Sequence, residues 1–481
     1  MNGLPGGDHE KGAASVFHSG PFPQRTHGNR PDRASQTRES TGRLTQEERP
    51  IILNRRALLS GLAAGFTLPA FRADTLRRVA AAARVAGPRP AAELAGDEAY
   101  WSEIARAFDA DRTLVNLNNG GCSPTPSHVL EAMIRDLRFS NEIPVHHMWN
   151  ILEPRIESVR RDLAAEFGCD PEEVAITRNA SEAMETLTLG IDLKAGDEVV
   201  ITNQNYGRMI TTWEQRARRD GLVIKQISFP VPPPSREDVV ERFRRAITPR
   251  TRVIEVTHIT NLTGQILPVR EIVRMARERS IEVFVDGAHG FAHFPFKRHE
   301  LECDYYGTSL HKWLLAPIGT GFLYVKKEKQ KKIWPLMAAP ASMDEDVRKY
   351  EEIGTHPAAN HNAIAGALAF HRGIGAERKA ARLRLLRDRW AKRLLAADRR
   401  VKVLTPLNDT ESCGIGLIHV EGVDTTKLQA HLWEKDRIMT TPILHPEFNG
   451  LRVTPNVYTT LPEIDVFAEK MEEILKKGLP A

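Results

Sequence analysis

The chain has 481 residues, 41 % hydrophobic and 27 % charged, with 67 Lys and Arg against 62 Asp and Glu. That balance excludes a collagenous or wholly disordered chain and leaves ample material for a core; the net charge of +5 is too weak over this length to imply a nucleic-acid partner. The four cysteines (Cys122, Cys169, Cys303 and Cys413) lie far apart with no CxxC, against a disulfide framework or structural zinc, and no uncharged apolar run reaches the roughly 18 residues of a membrane span.

Residues 1–50 are rich in Gly, Pro, Ser, Thr, Arg and Gln and too poor in large apolar groups to offset the entropy of ordering, so they are predicted to be disordered. Next comes the pair Arg55-Arg56, followed by the uncharged, mildly hydrophobic run Ser60–Ala70. This is the layout of a secretion signal and resembles the twin-arginine type. It predicts export to the periplasm by that machinery, with cleavage after Ala70 or within Ala80–Ala86 and no stable membrane anchor. The alternative is a short amphipathic helix on a cytoplasmic protein. Residues 71–95, rich in Ala, Arg and Pro, read as linker, so that 51–95 form signal and linker together.

From about residue 97 apolar β-rich runs alternate with longer amphipathic segments. Strands are expected at Val174–Thr177, Glu198–Thr202, Val223–Ile227, Val253–Thr257, Val283–Asp286, Tyr305–Gly307 and Gly321–Val325. Most lack polar alternation, which suits strands buried on both faces. Helices are expected at Ile151–Phe167, Ser181–Leu189, Met209–Asp220, Arg236–Ile247 and Val269–Arg279. The alternation argues for an α/β fold with a mostly parallel seven-stranded sheet over residues 96–360. A long helix over Asn362–Ala396 then opens a smaller α+β domain, 361–481, with strands at Val401–Leu404, Ser412–His419 and Leu451–Thr454 and helices at Thr425–Trp433 and Pro462–Lys477.

The chemistry concentrates in two places. Asp286 ends the apolar run Val283-Phe284-Val285, where open α/β sheets place ligands. Further on, Ser309-Leu310-His311-Lys312 runs into the glycine-rich return Pro317-Ile318-Gly319-Thr320-Gly321. Alone, Asp286 could be a turn or capping residue. Together with Ser-Leu-His-Lys it resembles the class V aminotransferase family of pyridoxal-phosphate (PLP) enzymes, and the resemblance runs from about Asn116 to Lys470 with several motifs in order.

The resemblance implies fold type I and a set of roles. Lys312 would form the Schiff base with the cofactor aldehyde, and Asp286 would hold the pyridine nitrogen protonated. Thr177-Arg178-Asn179-Ala180-Ser181-Glu182-Ala183 resembles the family's phosphate loop, with Ala180 and Ser181 offering N–H groups at a helix start. The same residues read as a capping box, and both readings can hold together. Ser309 and His311 match phosphate-contacting positions. Thr355 matches a position that reaches the phosphate from a neighbouring subunit, which implies a homodimer with shared active sites. Asn261 and His289 would contact the ring's phenolic oxygen. Tyr206 would stack on the ring, its alternative being a strand-end core residue. Arg452, in Leu451-Arg452-Val453-Thr454, would grip the α-carboxylate of an amino-acid substrate, and Asn119 belongs to a segment bordering the pocket. Cys122 beside it reads as pocket wall.

The family's shared chemistry implies that the substrate amine displaces Lys312, which then takes the α-proton. Transamination, epimerisation and β-elimination by a C–S or other lyase remain open. Thr440–Gly450 lacks the mobile cysteine of desulfurases, which argues against persulfide chemistry, while Asp-Gly-Ala-His resembles the isopenicillin-N-epimerase-like branch. A non-catalytic or metal-binding exported protein, using His289, His293, His299 and the pair His146-His147, is the reading from a different class. Gly290 and Pro295 interrupt that stretch, so no metal site is assigned.

Overall fold

The strands of the chain, in a computed structural model describing residues 75–479, are β1 (Val115–Asn116), β2 (Val174–Thr177), β3 (Glu198–Thr202), β4 (Val223–Ile227), β5 (Thr251–Thr257), β6 (Glu282–Asp286), β7 (Tyr305–Ser309), β8 (Gly321–Val325), β9 (Val401–Val403), β10 (Gly416–Val420), β11 (Ile438–Met439), β12 (Thr441–His445) and β13 (Phe448–Val453). The disorder expected over 1–50 and the arginine-pair signal lie outside the described residues. β2 to β8 form one seven-stranded sheet in the order β2-β8-β7-β6-β5-β3-β4. Only β8 runs against its neighbours, β2 and β7.

Both faces of this sheet are covered, which explains the unalternating apolar runs. Val200, Ile254, Val256, Val283 and Val285 point into one core with Val159, Leu163, Phe243 and Ile272. Their neighbours Val199, Ile201, Val253 and Phe284 point into the other with Met184, Leu187 and Trp213. Register then aligns the strand ends: Thr257 pairs with Asp286, and Asp286 with Gly307. Gly321 opens β8 so close to the helix Ala180–Gly190 that a Cβ there would lie 2.7 Å from Cα of Asn179. Only glycine lets β8 pass beneath that helix's N-terminus.

The smaller part is the antiparallel sheet β12-β13-β10-β9, packed on Leu386, Trp390, Phe467 and Met471. β1 pairs in parallel with β11, tying residues near 115 to the C-terminal part. Among the described residues no helix is long and apolar enough to cross a membrane.

Two expectations change. Residues 75–95 are not linker: 75–86 are helical and Ala91–Leu94 form a short helix. Val79, Ala82 and Ala86 make one helix face, packed with Leu94, Trp101 and Phe370. The candidate cleavage stretch Ala80–Ala86 lies within that docked helix. The long helix over Asn362–Ala396 is two, Ala358–Ile374 and Ala376–Ala397, broken at Gly375, whose φ of 91° no helix tolerates. The first packs Ile364 and Leu368 into the large core and the second packs Trp390 into the small one. The segment Thr440–Gly450 forms most of the β12–β13 hairpin, with Pro442 tolerated because β12 is an edge strand. The helix Ser127–Glu142 was not anticipated.

Candidate active site

The carboxyl ends of β2, β5, β6 and β7 converge on a cavity of about 720 Å³. Ala180, Ser181, Tyr206, Asn261, Asp286, His289, Ser309, His311, Lys312 and Arg452 all line it. Residues that the strand pattern had kept apart by up to a few hundred positions thus share one site.

At one end Asn179 caps the helix Ala180–Gly190, its side chain accepting from the Glu182 N–H at 2.9 Å. The helix N-terminus, with its positive dipole end, opens on the cavity. Ser309 Oγ accepts from the Ala180 N–H at 3.0 Å, so β7 and the helix start are locked together. His311 shares a hydrogen bond with the Thr320 carbonyl through Nδ1 at 3.3 Å, leaving Nε2 free for another partner. Burial and the neighbouring Lys312 push its pKa down to about 4, so it is neutral at physiological pH.

Asp286 is 3 % exposed, and its Oδ1 accepts from the Ala288 N–H at 3.0 Å. Burial raises its pKa against the pull of that amide and of Lys312. Behind it lies a second carboxylate, Glu255, fully buried on β5 and accepting from Asn205 Nδ2 at 2.8 Å and Trp213 Nε1 at 2.7 Å. Burial and the charge of Asp286 push Glu255 up to about 7. Asn205 precedes Tyr206, and Trp213 lies on the helix Gly207–Asp220, so this carboxylate anchors the turn that carries Tyr206 into the cavity. Tyr206 itself is 43 % exposed, which excludes the core reading.

Lys312 Nζ lies 3.1 Å from His289 Nε2. Burial, reinforced by Arg452, brings the amine down to about 8 although Asp286 and Cys122 pull the other way. Arg452 is 6 % exposed. Its fork is aimed by three acceptors: the Asn261 carbonyl at 2.8 Å, Asn118 Oδ1 at 3.0 Å and Thr441 Oγ1 at 3.3 Å. Burial lowers it to about 10, so the cation persists at neutral pH with no carboxylate among these partners. A buried cation held only by neutral groups is suited to receive an external anion.

The site as built fits pyridoxal phosphate. Thr257 Oγ1 and Asn261 Oδ1 are buried on the cavity wall without hydrogen-bond partners. The helix start offers amides for a phosphate, Asp286 a buried carboxylate for a cationic ring nitrogen, and Lys312 an amine for an aldehyde.

One expected residue lies elsewhere. Asn119 does not line the cavity: it is fully buried, its Nδ2 donating to the Asn116 and Thr454 carbonyls at 3.0 Å each and its Oδ1 accepting from Tyr458 Oη at 2.6 Å. With those bonds made it shapes the turn, while Gly120 and Gly121 supply the wall. Thr355 is exposed and outside this cavity. Cys122, expected as wall, is exposed beside it, its thiol raised by partial desolvation. Thr441 and Glu255 were not anticipated, and Asn118 was expected only as part of the segment bordering the pocket; Thr441 faces Arg452 across the β12–β13 pair, a relation that no local motif announces. His293 is engaged by the His289 carbonyl and the Gly414 N–H, and among the described residues no group of three His, Cys, Asp or Glu could hold a metal.

Comparison with known proteins agrees with the fold and with the cofactor. The family model described as Aminotransferase class-V matches residues 115–442. The isopenicillin N epimerase of Amycolatopsis lactamdurans is 30 % identical over 395 residues, covering 78 % of this chain and 99 % of the relative. Among solved structures, the apo cysteine desulfurase of Thermococcus onnurineus NA1 superposes with a TM-score of 0.68 at 22 % identity, covering 78 % of this chain and 98 % of its own. A lysine-to-alanine mutant of C-DES, solved with glycine covalently linked to its PLP cofactor, has a TM-score of 0.68 at 22 % identity, over 76 % of this chain and 98 % of its own.

Proposed function

The chain belongs to the class V aminotransferase family, and we propose that, as a pyridoxal-phosphate-dependent enzyme of that family, it moves the proton at Cα of an α-amino acid, in transamination or epimerisation. The observation that carries this reading is Lys312: a cavity-facing amine whose pKa is brought to about 8, within reach of one imidazole and sharing its cavity with a buried arginine fork. Such an amine is free often enough near neutral pH to take a proton and return it.

Bound pyridoxal phosphate supplies an aldehyde to capture the substrate amine and a protonated ring to draw off the electron pair left at Cα. The helix start at Ala180 and Ser181, with Ser309 and His311, would hold the phosphate. Asp286 would keep the ring nitrogen protonated, Asn261 and His289 would meet the phenolic oxygen, and Tyr206 would cover the ring. Arg452 orients the substrate by its α-carboxylate, which leaves the α-proton to Lys312. The likeness to an epimerase supports the epimerase type. The absence of a cysteine from the β12–β13 hairpin speaks against persulfide chemistry.

The test is exchange of the α-proton in deuterated buffer for a panel of L-amino acids. Deuterium at Cα with a D-amino acid formed indicates epimerisation, and a keto acid indicates transamination. Pyruvate with a released β-substituent would instead place the enzyme in the elimination branch, and no exchange with any amino acid would sink the reading. Replacing Arg452 with Ala should weaken binding of α-carboxylate substrates by about 2–5 kcal/mol, since a desolvated charge pair is broken. Equal affinity for the variant, measured by substrate titration, would show that the carboxylate binds elsewhere.

We further propose a homodimer in which Thr355 completes the neighbour's phosphate site. The exposed apolar side chains of Val145, Trp149 and Ile318 support a covered surface. Sedimentation at the mass of one chain would overturn it. The arginine pair supports export, and an Arg55→Lys, Arg56→Lys variant should then remain in the cytoplasm; unchanged export would remove the twin-arginine reading.

A further inference from the structure

Behind Lys312 lies a buried file of hydrogen-bonding rings whose proton positions can be deduced. Trp313 Nε1 donates to His289 Nδ1 at 3.2 Å. An indole N–H can only donate, so His289 Nδ1 carries a lone pair. His289 is 3 % exposed, and burial, with Lys312 and Arg452 nearby, pushes its pKa well below the usual value, so the ring is neutral. A neutral imidazole with a bare Nδ1 has its proton on Nε2. That atom lies 3.1 Å from Lys312 Nζ. In that tautomer the bond between them runs from histidine to lysine, a bond that the amine form of Lys312 can accept and an ammonium cannot.

We infer that Trp313 is a positioning residue that fixes His289 as its Nε2–H tautomer and thereby favours the amine form of Lys312 over the ammonium. Protonating Lys312 would require His289 to accept through Nε2. Its proton would then move to Nδ1, against the Trp313 N–H, and a buried hydrogen bond would be lost. The inference rests on the reading of Lys312 as the reactive amine and adds how the fold prepares it.

The tryptophan is itself held rigidly. His293 stacks on it with ring centroids 3.5 Å apart and planes at 3°. The His293 tautomer is fixed too: Nε2 accepts from the Gly414 N–H at 2.8 Å, so Nδ1 donates to the His289 carbonyl at 2.9 Å. Lys379 Nζ donates to the Trp313 carbonyl from below. A Cβ at Gly414 would stand 3.1 Å from His293 Nε2 and 3.4 Å from the indole. A bare backbone N–H from the smaller part of the molecule thus supports the ring that orients His289. The other charged or titratable groups acting on Lys312 are Asp286, Arg452, Cys122 and His311. None of them bonds to His289 Nδ1, so none duplicates the role of Trp313.

The experiment is trace acetylation of the cofactor-free full chain over a range of pH, with the Lys312 peptide quantified by mass spectrometry. Trp313→Phe removes the donor and keeps an aromatic ring. It should move the Lys312 titration upward by about one pH unit or more, the size of one buried hydrogen bond to a charge, so that reactivity near pH 7 falls about tenfold. In a His289→Leu background the same substitution should have no further effect. An unmoved titration in Trp313→Phe, or an equal shift in both backgrounds, would overturn the inference. Should Trp313→Phe not fold, the ¹⁵N spectrum of histidine-labelled wild-type chain decides, with the His289 signals assigned by their loss in His289→Gln. An unprotonated Nδ1 with a protonated Nε2 supports the lock, and the opposite tautomer refutes it. Neither measurement needs turnover, so an inactive chain with the lock intact would count against the proposed reaction alone.

Discussion

Lys312→Ala is expected to abolish turnover, with a loss on the order of 10³-fold or more, and to remove the visible absorbance that a lysine-linked cofactor carries. Two functions are lost at once, the covalent attachment of the cofactor and the proton transfer at Cα. The rest of the site should survive. The helix start at Ala180, the Asp286 carboxylate and the Arg452 fork are held by partners other than Lys312. The variant should therefore still bind pyridoxal phosphate non-covalently, which fluorescence quenching would report, while α-proton exchange in deuterated buffer ceases. A small exogenous amine of suitable pKa should restore part of that exchange. A Lys312→Ala enzyme that keeps both turnover and the visible band would remove Lys312 from the chemistry.

Lys312 and Asp286 were legible in the sequence because their chemistry restricts residue type. A cofactor aldehyde needs an amine, and a cationic ring nitrogen needs a carboxylate at a strand end. The seven strands of the large sheet were legible because burial on both faces leaves runs such as Val283-Phe284-Val285 with no polar interruption. What escaped depends on pairing between distant residues. Nothing around Thr441 indicates that it faces Arg452 across a hairpin, or that Asn118 reaches the same guanidinium. Asn119 was misplaced for a related reason: one step along a turn carries a side chain from the cavity into the scaffold. The helix at 75–86 was misread because its apolar face is mostly alanine, a weak hydrophobic signal until its partners Trp101 and Phe370 are known.

Asp286→Asn should separate function from stability in opposite directions. Asparagine keeps the shape and can still accept from the Ala288 N–H through its side-chain oxygen. It cannot hold a proton on a ring nitrogen by charge, and the loss of that preorganised electrostatic stabilisation should lower turnover by about 10²–10³-fold or more. The cofactor-free chain should respond the other way. Burial raises the Asp286 pKa in the folded state above its unfolded value. A carboxyl with a raised folded pKa favours folding while protonated. That contribution is present below the unfolded value and is lost as pH rises through the folded one, so at neutral pH the ionised group burdens the fold. The burden extends to Glu255, which the Asp286 charge helps to push up to about 7. Removing the charge relieves both groups. Thermal melts without cofactor should therefore show Asp286→Asn as stable as wild type at acid pH and more stable near neutrality. Saturating pyridoxal phosphate should then raise the melting temperature of wild type more than that of the variant, because in the wild type a ring cation at last gives the buried carboxylate its partner. A variant less stable than wild type in cofactor-free melts at neutral pH would mean that the carboxylate is already compensated within the protein, and Asp286 would lose its claim to be waiting for a cation.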